Sequence, residues 1–139
     1  MDFTLYAAST GVIKRLHYHQ SNGAPYSAWA PVTSGSNPPT TLPTYYEKLA
    51  AAAFLGDTKV TAVEEITFSS SLYQSAYAAY NGARLARIAF LNMKQYNSTS
   101  ATARPTSTYT YSVDSEQAGT TWVVERLAAP GSNYRQWRG

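Results

Sequence analysis

Residues 73–92 read YQSAYAAYNGARLARIAFLN, and this stretch decides the fold. Two runs of strand-forming residues, 73–80 and 84–92, are separated by Asn81-Gly82. A two-residue type I′ turn needs positive φ at both central positions, and an Asn-Gly pair tolerates this at low steric cost. The stretch therefore predicts an antiparallel β-hairpin with a type I′ turn.

The second strand of this hairpin is apolar on both faces. Ile88 and Phe90 alternate with Leu85, Ala89 and Leu91, so each pleated face carries side chains that favour burial. A strand of this kind is typical of the centre of a β-sandwich. Working outward, similar runs predict three further strands, at residues 59–67, 107–113 and 120–128.

The chain before Gly56 has a different pattern. Residues 11–19 are β-compatible and predict a strand. Gly and Pro recur throughout residues 20–43, which predicts a long loop. Tyr26 and Trp29 lie within that loop, and such side chains are costly to leave in water, so we expect the loop to be packed.

A helix is predicted over residues 44–55. Thr44 precedes Glu47 by three positions, which is the spacing of a capping box. Gly56 is placed to end the helix, because glycine tolerates positive φ. The residues expected to form one face recur at helical spacing and are Tyr45, Leu49, Ala52 and Ala53.

The composition excludes several classes of protein. Only 14% of the 139 residues are charged, and the formal net charge of +3 is too small and scattered to indicate nucleic-acid binding. The absence of Cys excludes disulfides, thiol nucleophiles and zinc–thiolate sites. No run of about 18 apolar residues is present, so no membrane span is expected. Residues 1–11, MDFTLYAASTG, make a poor signal peptide, and we expect that the front of a secreted-type protein is missing.

No catalytic or metal site can be assembled from the sequence motifs. His17 and His19 form an H-x-H pair, but no third ligand lies nearby, so a packing or hydrogen-bonding role is favoured over metal binding. Glu64 and Glu65 are adjacent on a predicted strand and point to opposite faces, so they cannot form the converging pair that a glycosidase needs. There is no G-x-S-x-G motif and no Gly-rich phosphate loop. We therefore expect no catalytic residue, no metal and no cofactor.

Two further features concern the surface. Asn97-Ser98-Thr99 is an N-glycosylation sequon in a predicted loop, so Asn97 is the candidate glycosylation site. Trp122 and Trp137 leave two interpretations open: they hold a polysaccharide, or they are buried anchors of a structural domain. The second is favoured, because nothing in the sequence marks an exposed aromatic platform.

Four segments, taken in order, resemble a known family. They are LYAASTGVIKRLHYHQSNGAPYSAWAP at 5–31, PTYYEKLAAAAFLG at 43–56, YAAYNGARLARIAFLNMKQYNSTSATARPT at 77–106 and VVERLAAPGSN at 123–133. Together they resemble the C-terminal region of glycoside hydrolase family 79, the family of fungal β-glucuronidases, with the heparanases as more distant relatives. The resemblance implies an antiparallel β-sandwich at residues 57–139. It also implies that residues 1–56 are the last strand, loop and helix of a (β/α)8 barrel.

The resemblance also implies where the chemistry resides. In the family the acid/base and the nucleophile are Glu residues on earlier barrel strands, and the acid/base follows an Asn. This chain has no Asn-Glu dipeptide, so the catalytic pair is expected to be absent. Gly23, Tyr26 and Trp29 match loop positions near the sugar and are the candidate substrate-binding residues. Ala24 stands where the family usually has Tyr or Phe, which argues against unaltered recognition of the uronic carboxylate.

The expected function is therefore that of an accessory domain. The chain would support the catalytic barrel of a retaining β-glucuronidase-like enzyme and be inactive alone, with a non-catalytic carbohydrate-binding module as the alternative. The expected partners are that barrel and a glucuronide or polysaccharide, with no nucleic acid and no membrane. The intact relative is expected to be secreted.

Overall fold

The structure is a computed structural model that describes residues 1–21, 24, 26–56, 60–68, 72–112 and 119–129. Its regular elements, in chain order, are α1 (Asp2–Ser9), β1 (Trp29–Ala30), β2 (Thr40–Thr41), α2 (Pro43–Leu55), β3 (Ala62–Ile66), β4 (Gln74–Asn81) and β5 (Arg84–Asn92). The strand pairs of the described chain are antiparallel, so the prediction of a mainly β, antiparallel fold is confirmed. Neither helix in these residues has the length and hydropathy that a membrane crossing needs.

The larger sheet is built on the predicted hairpin. Asn81 pairs with Arg84, so the central turn residues are Gly82 and Ala83. Gly82 has a φ of +60°, whereas every non-glycine residue described has negative φ. Positive φ at the first central position alone is the pattern of a type II′ turn. The hairpin is confirmed, but the predicted type I′ turn is wrong, because Asn81 belongs to the strand ladder.

The strand at the centre of this sheet is β4, with β3 and β5 on either side. The sequence favours β5 for the central place, but β5 forms an edge of the described sheet. Phe90, on one of its two apolar faces, remains 40% exposed. Tyr77 and Ala76 point to opposite faces of β4, and both are buried.

The other strand predictions have mixed outcomes. β3 lies within the predicted range 59–67, whereas residues 11–19, 107–112 and 120–128 form no strand. Residue 113, the last of one predicted strand, lies outside the described residues. A strand needs a neighbouring backbone to complete its ladder of hydrogen bonds, whatever its apolar alternation. Residues 107–112 contact the sheet through the side chain of Tyr109 instead.

That contact covers the outer face of the sheet. The Tyr109 ring packs on Phe90 with centroids 4.8 Å apart, and on Phe68 at 5.7 Å. Its hydroxyl donates a hydrogen bond of 2.7 Å to the carbonyl of Leu91. Ala76, opposite Phe90 in the ladder, is fully buried. Tyr109 and Phe68 therefore cover part of this face, and Phe90 stays 40% exposed.

The inner face of the sheet packs against both helices. The buried members of this core are Leu5 from α1, Ala51 and Phe54 from α2, Tyr77 and Ala79 from β4, and Ala89 from β5. Because they come from both sides of Gly56, packing is continuous between residues 1–56 and the sheet. The division into a barrel remnant and a sandwich domain stays a prediction.

Helix α2 is present as predicted, but its cap differs. Pro43, whose fixed φ suits the first helical position, begins the helix. Thr44 therefore lies inside the first turn, and its hydroxyl donates to the carbonyl of Ser27 at 2.5 Å. Glu47 forms an ion pair with the amino group of Met1. The predicted capping box between Thr44 and Glu47 is thus wrong, since both side chains have partners outside the helix.

The face that α2 buries also differs from the prediction. Ala51 and Phe54 are buried, whereas Leu49 of the predicted face is 52% exposed. The alanine run makes the apolar pattern similar on two faces, so contact of the Phe54 ring with the sheet decides the orientation. Gly56 ends the helix as predicted, with a φ of +69°.

Helix α1 was not predicted from the sequence. It ends before Gly11, and the following residues contact the helices through side chains rather than forming a strand. The Tyr18 hydroxyl hydrogen-bonds to Thr4 on α1, and the Tyr18 ring lies 4.6 Å from Nζ of Lys48 on α2. This segment therefore connects the two helices.

Candidate functional site

The candidate site lies on the loop between α1 and α2. Trp29 and Ala30 pair with Thr41 and Thr40, so β1 and β2 form a short antiparallel ribbon in the loop. The Leu42 N–H donates to the carbonyl of Ala28 at 2.9 Å and extends this pairing to the start of α2. The ribbon thus fixes the backbone that carries Trp29.

Two polar side chains hold the loop closed. Gln20 donates through Nε2 to the Trp29 carbonyl at 2.6 Å and accepts at Oε1 from the Ala28 N–H at 2.9 Å. The Ser27 hydroxyl donates to the Ser21 carbonyl at 2.6 Å and accepts from the Ser21 N–H at 3.0 Å. Ser27 and Ala28 are buried. The loop is therefore held by internal hydrogen bonds, but the expectation that packing shields Tyr26 and Trp29 is wrong, since these side chains are 55% and 46% exposed.

Tyr26 is half exposed and has a histidine partner. Its hydroxyl lies 3.1 Å from Nδ1 of His19, and the two rings are tilted with centroids 5.3 Å apart. The hydrogen-bonding role favoured for the H-x-H pair is thus observed for His19. Among the described residues, no three His, Asp or Glu side chains are grouped as metal ligands.

Trp29 presents part of its ring to solvent. It is 46% exposed and meets Tyr45 edge-on, with centroids 6.4 Å apart. Tyr45 in turn meets Tyr46 edge-on at 5.5 Å. An open depression beside the ring is lined by Trp29, Ala30, Pro31, Pro39, Thr40 and Thr41. An aromatic face next to hydroxyl groups can stack on a sugar ring and hydrogen-bond its hydroxyls.

The structure brings together only part of the predicted site. Tyr26 and Trp29 are positioned by the same loop, but their rings have different neighbours, His19 and Tyr45. Gly23 lies outside the described residues. No sequence motif indicates the role of Gln20, because that role depends on the folded position of the β1 backbone. The helical spacing places Tyr45 on a face of α2 and does not indicate its contact with Trp29.

Four carboxylates lie on the described helices and strands, on Asp2, Glu47, Glu64 and Glu65. Glu64 and Glu65 are exposed neighbours on β3 and project to opposite faces of the sheet. Glu47 is paired with the amino group of Met1. The carboxylate of Asp2 is held by hydroxyls, and it accepts from Ser75 at 2.5 Å.

The Asp2 contact forms a buried polar cluster between α1 and β4. Tyr77 donates to Oδ1 of Asp2 at 2.8 Å, and only 1% of Tyr77 is exposed. Burial raises the pKa of the Tyr77 hydroxyl well above its usual 10.0, and the Asp2 carboxylate adds to the effect. These contacts anchor α1 on the sheet.

Comparison with known proteins identifies the family of the part of the chain that contains β4 and β5. Residues 76–139, which begin in β4 and include β5, match the family model described as "Glycosyl hydrolase family 79 C-terminal beta domain". Residues 76–139 of this chain thus belong to the C-terminal β domain of glycoside hydrolase family 79. The resemblance found in the sequence motifs is thereby confirmed.

Two fungal relatives extend the similarity over the rest of the chain. A β-glucuronidase of Neurospora crassa is 31% identical over 161 aligned positions, which cover 96% of this chain and 29% of the relative. A β-glucuronidase of Aspergillus niger is 34% identical over 143 positions, covering 96% of this chain and 26% of the relative. No solved structure matches significantly. The chain thus spans less than a third of the length of these curated relatives.

Proposed function

We propose that this chain is the accessory C-terminal part of a family 79 glycosidase, and that it stabilises a catalytic (β/α)8 barrel without taking part in the reaction. The match of residues 76–139 to the C-terminal β domain carries the proposal. In this proposal residues 57–139 form a β-sandwich domain, and residues 1–56 belong to the end of the barrel. The intact enzyme would be secreted and would hydrolyse a glucuronide with retention, using two carboxylates and no metal.

The surface of the described chain supports a contact with a larger domain. Val123, Val124 and Leu127 are 83%, 75% and 62% exposed within the same short segment. Grouped apolar side chains of this kind are suited to burial against another domain. Glu64 and Glu65 project to opposite faces of β3, which supports the non-catalytic part of the proposal, because retention requires two carboxyl groups about 5 Å apart.

Activity of the purified chain tests the non-catalytic role. We expect no hydrolysis of a chromogenic glucuronide. Hydrolysis that is abolished by Glu64→Gln, Glu65→Gln or Glu125→Gln would overturn the proposal, because the carboxylate would then belong to this chain and not to a contaminant.

A chimera tests the supporting role. In it, this chain replaces the corresponding C-terminal region of the Neurospora crassa relative. We expect the chimera to hydrolyse glucuronides, and Val124→Asp to lower its thermal midpoint. The same substitution in the isolated chain should leave the midpoint unchanged, because Val124 is already in water there. If the chimera had the same thermal midpoint with and without Val124→Asp, Val124 would not contact the barrel.

A second candidate function is carbohydrate binding at the ribbon, and the half-exposed Trp29 beside a hydroxyl-lined depression favours it. Tyr26 and Gly23 would belong to the same sugar-binding loop. Trp29→Ala should then abolish retention on an immobilised glucuronic-acid polysaccharide. Phe3→Ala is the matched control, because Phe3 is an aromatic residue of α1 that is 66% exposed. Trp122 does not suit as a control, since the favoured interpretation of Trp122 as a buried anchor is wrong: its side chain is 39% exposed. Unchanged retention of the Trp29 variant would exclude carbohydrate binding at the ribbon. Trp137, the other tryptophan considered for carbohydrate binding, lies outside the described residues.

A further inference from the structure

The loop that follows β5 contains the one N-glycosylation sequon of the sequence, Asn97-Ser98-Thr99. All three residues are exposed. Transfer of an oligosaccharide to asparagine requires this spacing and an accessible side chain. The position thus meets the first requirement of a modification site.

The local geometry orders the sequon. Both the N–H and the hydroxyl of Thr99 donate to Oδ1 of Asn97, at 3.0 Å and 2.9 Å. The Ser100 N–H donates to the Asn97 carbonyl at 2.9 Å and closes the turn. The hydroxyl two positions after Asn97 therefore engages the side-chain oxygen. Nδ2 of Asn97 makes no hydrogen bond with any of the described residues.

The rest of the loop is held by contacts that do not use the Asn97 side chain. Tyr96 donates from its hydroxyl to the carbonyl of Thr102 at 3.2 Å, and the Ser100 and Thr102 hydroxyls lie 2.8 Å apart. Arg104 lies over the Tyr96 ring at 5.9 Å. A group attached to Nδ2 would break none of these contacts, so the folded loop can carry a bulky substituent.

We propose that Asn97 carries an N-linked oligosaccharide when the chain passes through the secretory pathway. The donor is a lipid-linked diphospho-oligosaccharide. Nδ2 of Asn97 forms a bond to C1 of the first sugar, while the bond from C1 to the phosphate oxygen breaks. The lipid diphosphate leaves with the electron pair, and one proton of Nδ2 passes to the transferase. The inference is independent of the proposed support of a barrel.

The test uses all 139 residues behind a cleavable secretory leader in yeast. The variants are Asn97→Gln and Thr99→Ala, which destroy the sequon, and Ser98→Ala, which is the matched control because it keeps the sequon. Ala83→Thr in the Asn97→Gln background creates a sequon at Asn81, the exposed last residue of β4 before the hairpin turn. This last variant shows whether the host glycosylates the chain at all.

We expect the wild type and Ser98→Ala to migrate as one-glycan species that an amidase collapses, with Asn97 converted to Asp in the peptide mass spectrum. Asn97→Gln and Thr99→Ala should lack this shift. The glycosylated and enzymatically deglycosylated proteins should have the same thermal midpoint. An unmodified Asn97 in the wild type, with Asn81 modified in the Ala83→Thr variant, would overturn the proposal. A lower midpoint of the glycosylated form would contradict the inference that the folded loop accommodates the substituent.

Discussion

The guanidinium group of Arg87 lies at the C-terminal end of α2, where Nη1 faces the carbonyl of Phe54 at 3.4 Å. Arg87 belongs to β5 and Phe54 to the last helical turn, so the contact joins the sheet to the helix. The last carbonyls of a helix have no partner within the helix, and they carry partial negative charge that favours a cation. This relationship connects the part of the chain before Gly56 with the part after it.

Replacing Arg87 should weaken this connection. Arg87→Ala should lower the free energy of unfolding by about 1 kcal/mol, since one long hydrogen bond and a favourable charge at a helix end are lost. Urea denaturation followed by circular dichroism measures the change. Arg84→Ala is the matched control, because Arg84 is an exposed residue of the same strand. Equal effects of the two substitutions would show that the contact with α2 contributes nothing.

The glycine that ends α2 should not tolerate a side chain. Gly56 has φ +69° and ψ −164°, a region that non-glycine residues rarely occupy. A Cβ there would also lie 2.9 Å from Cζ of Arg87. Gly56→Ala should destabilise the fold by about 1–3 kcal/mol, mainly through the backbone, because the flexible Arg87 side chain can move away. Most of that loss should persist in the Arg87→Ala background. If Arg87→Ala removed the loss, steric overlap rather than backbone conformation would be its cause.

The buried hydroxyl of Tyr77 should make stability depend on alkaline pH. Its pKa is raised by burial in the folded state, whereas in the unfolded chain it has the ordinary value of 10.0. Above pH 10.0 the unfolded state loses the proton more readily, so stability contributed by Tyr77 is present below that pH and falls as pH rises. The expected slope is about 1.4 kcal/mol per pH unit until the folded state also titrates.

Tyr77→Phe tests whether the Tyr77 hydroxyl causes this fall in stability at alkaline pH. The variant should lose about 1–2 kcal/mol at neutral pH, because the Asp2 carboxylate loses a hydrogen bond, and its stability should fall less steeply above pH 10.0. Tyr6→Phe is the control, since Tyr6 is 51% exposed on α1. The measurement is the free energy of unfolding of the wild type and of both variants across the alkaline pH range. A variant with the wild-type slope would contradict the prediction.

The aromatic cover of the outer sheet face should depend on one tyrosine. Tyr109→Ala removes the contacts with Phe90 and Phe68, and should cost about 2–4 kcal/mol. Tyr109→Phe keeps the ring and loses only the hydrogen bond to Leu91, for about 1 kcal/mol. Tyr111→Ala is the matched control, because Tyr111 lies two residues away and is 39% exposed. A loss for Tyr111→Ala as large as that for Tyr109→Ala, measured by chemical denaturation, would refute this assignment.

Several elements could be predicted because their determinants are local. Residues 84–92 form a strand as their alternating apolar pattern indicates, and Pro43 and Gly56 bound a helix between them. The turn type was predicted wrongly because it depends on the pairing register, which places Asn81 in the ladder rather than in the turn. The strand predicted at residues 107–113 has the correct alternation in sequence. Its Tyr109 contacts the sheet as a side chain, and no backbone ladder forms over residues 107–112.

The candidate site could be predicted only in part. Tyr26 and Trp29 were identified from their family positions, and both lie partly exposed on the loop. The residues that hold them could not be predicted, because Gln20 reaches the Trp29 carbonyl only after β1 has folded back toward residue 20. The same limit applies to His19, whose contact with Tyr26 depends on the path of the intervening loop.

The sequence by itself determined the family, the hairpin and helix α2, because ordered motifs, strand alternation and helix-ending residues are properties of neighbouring positions. Only the tertiary structure decided which side chains those elements bury and which polar groups they pair. Thr44 bonds to Ser27, Arg87 meets Phe54, and Tyr77 donates to Asp2 across 75 positions of the chain. Such contacts arise from packing that brings distant segments together. A local pattern cannot specify them, since it is compatible with more than one such arrangement.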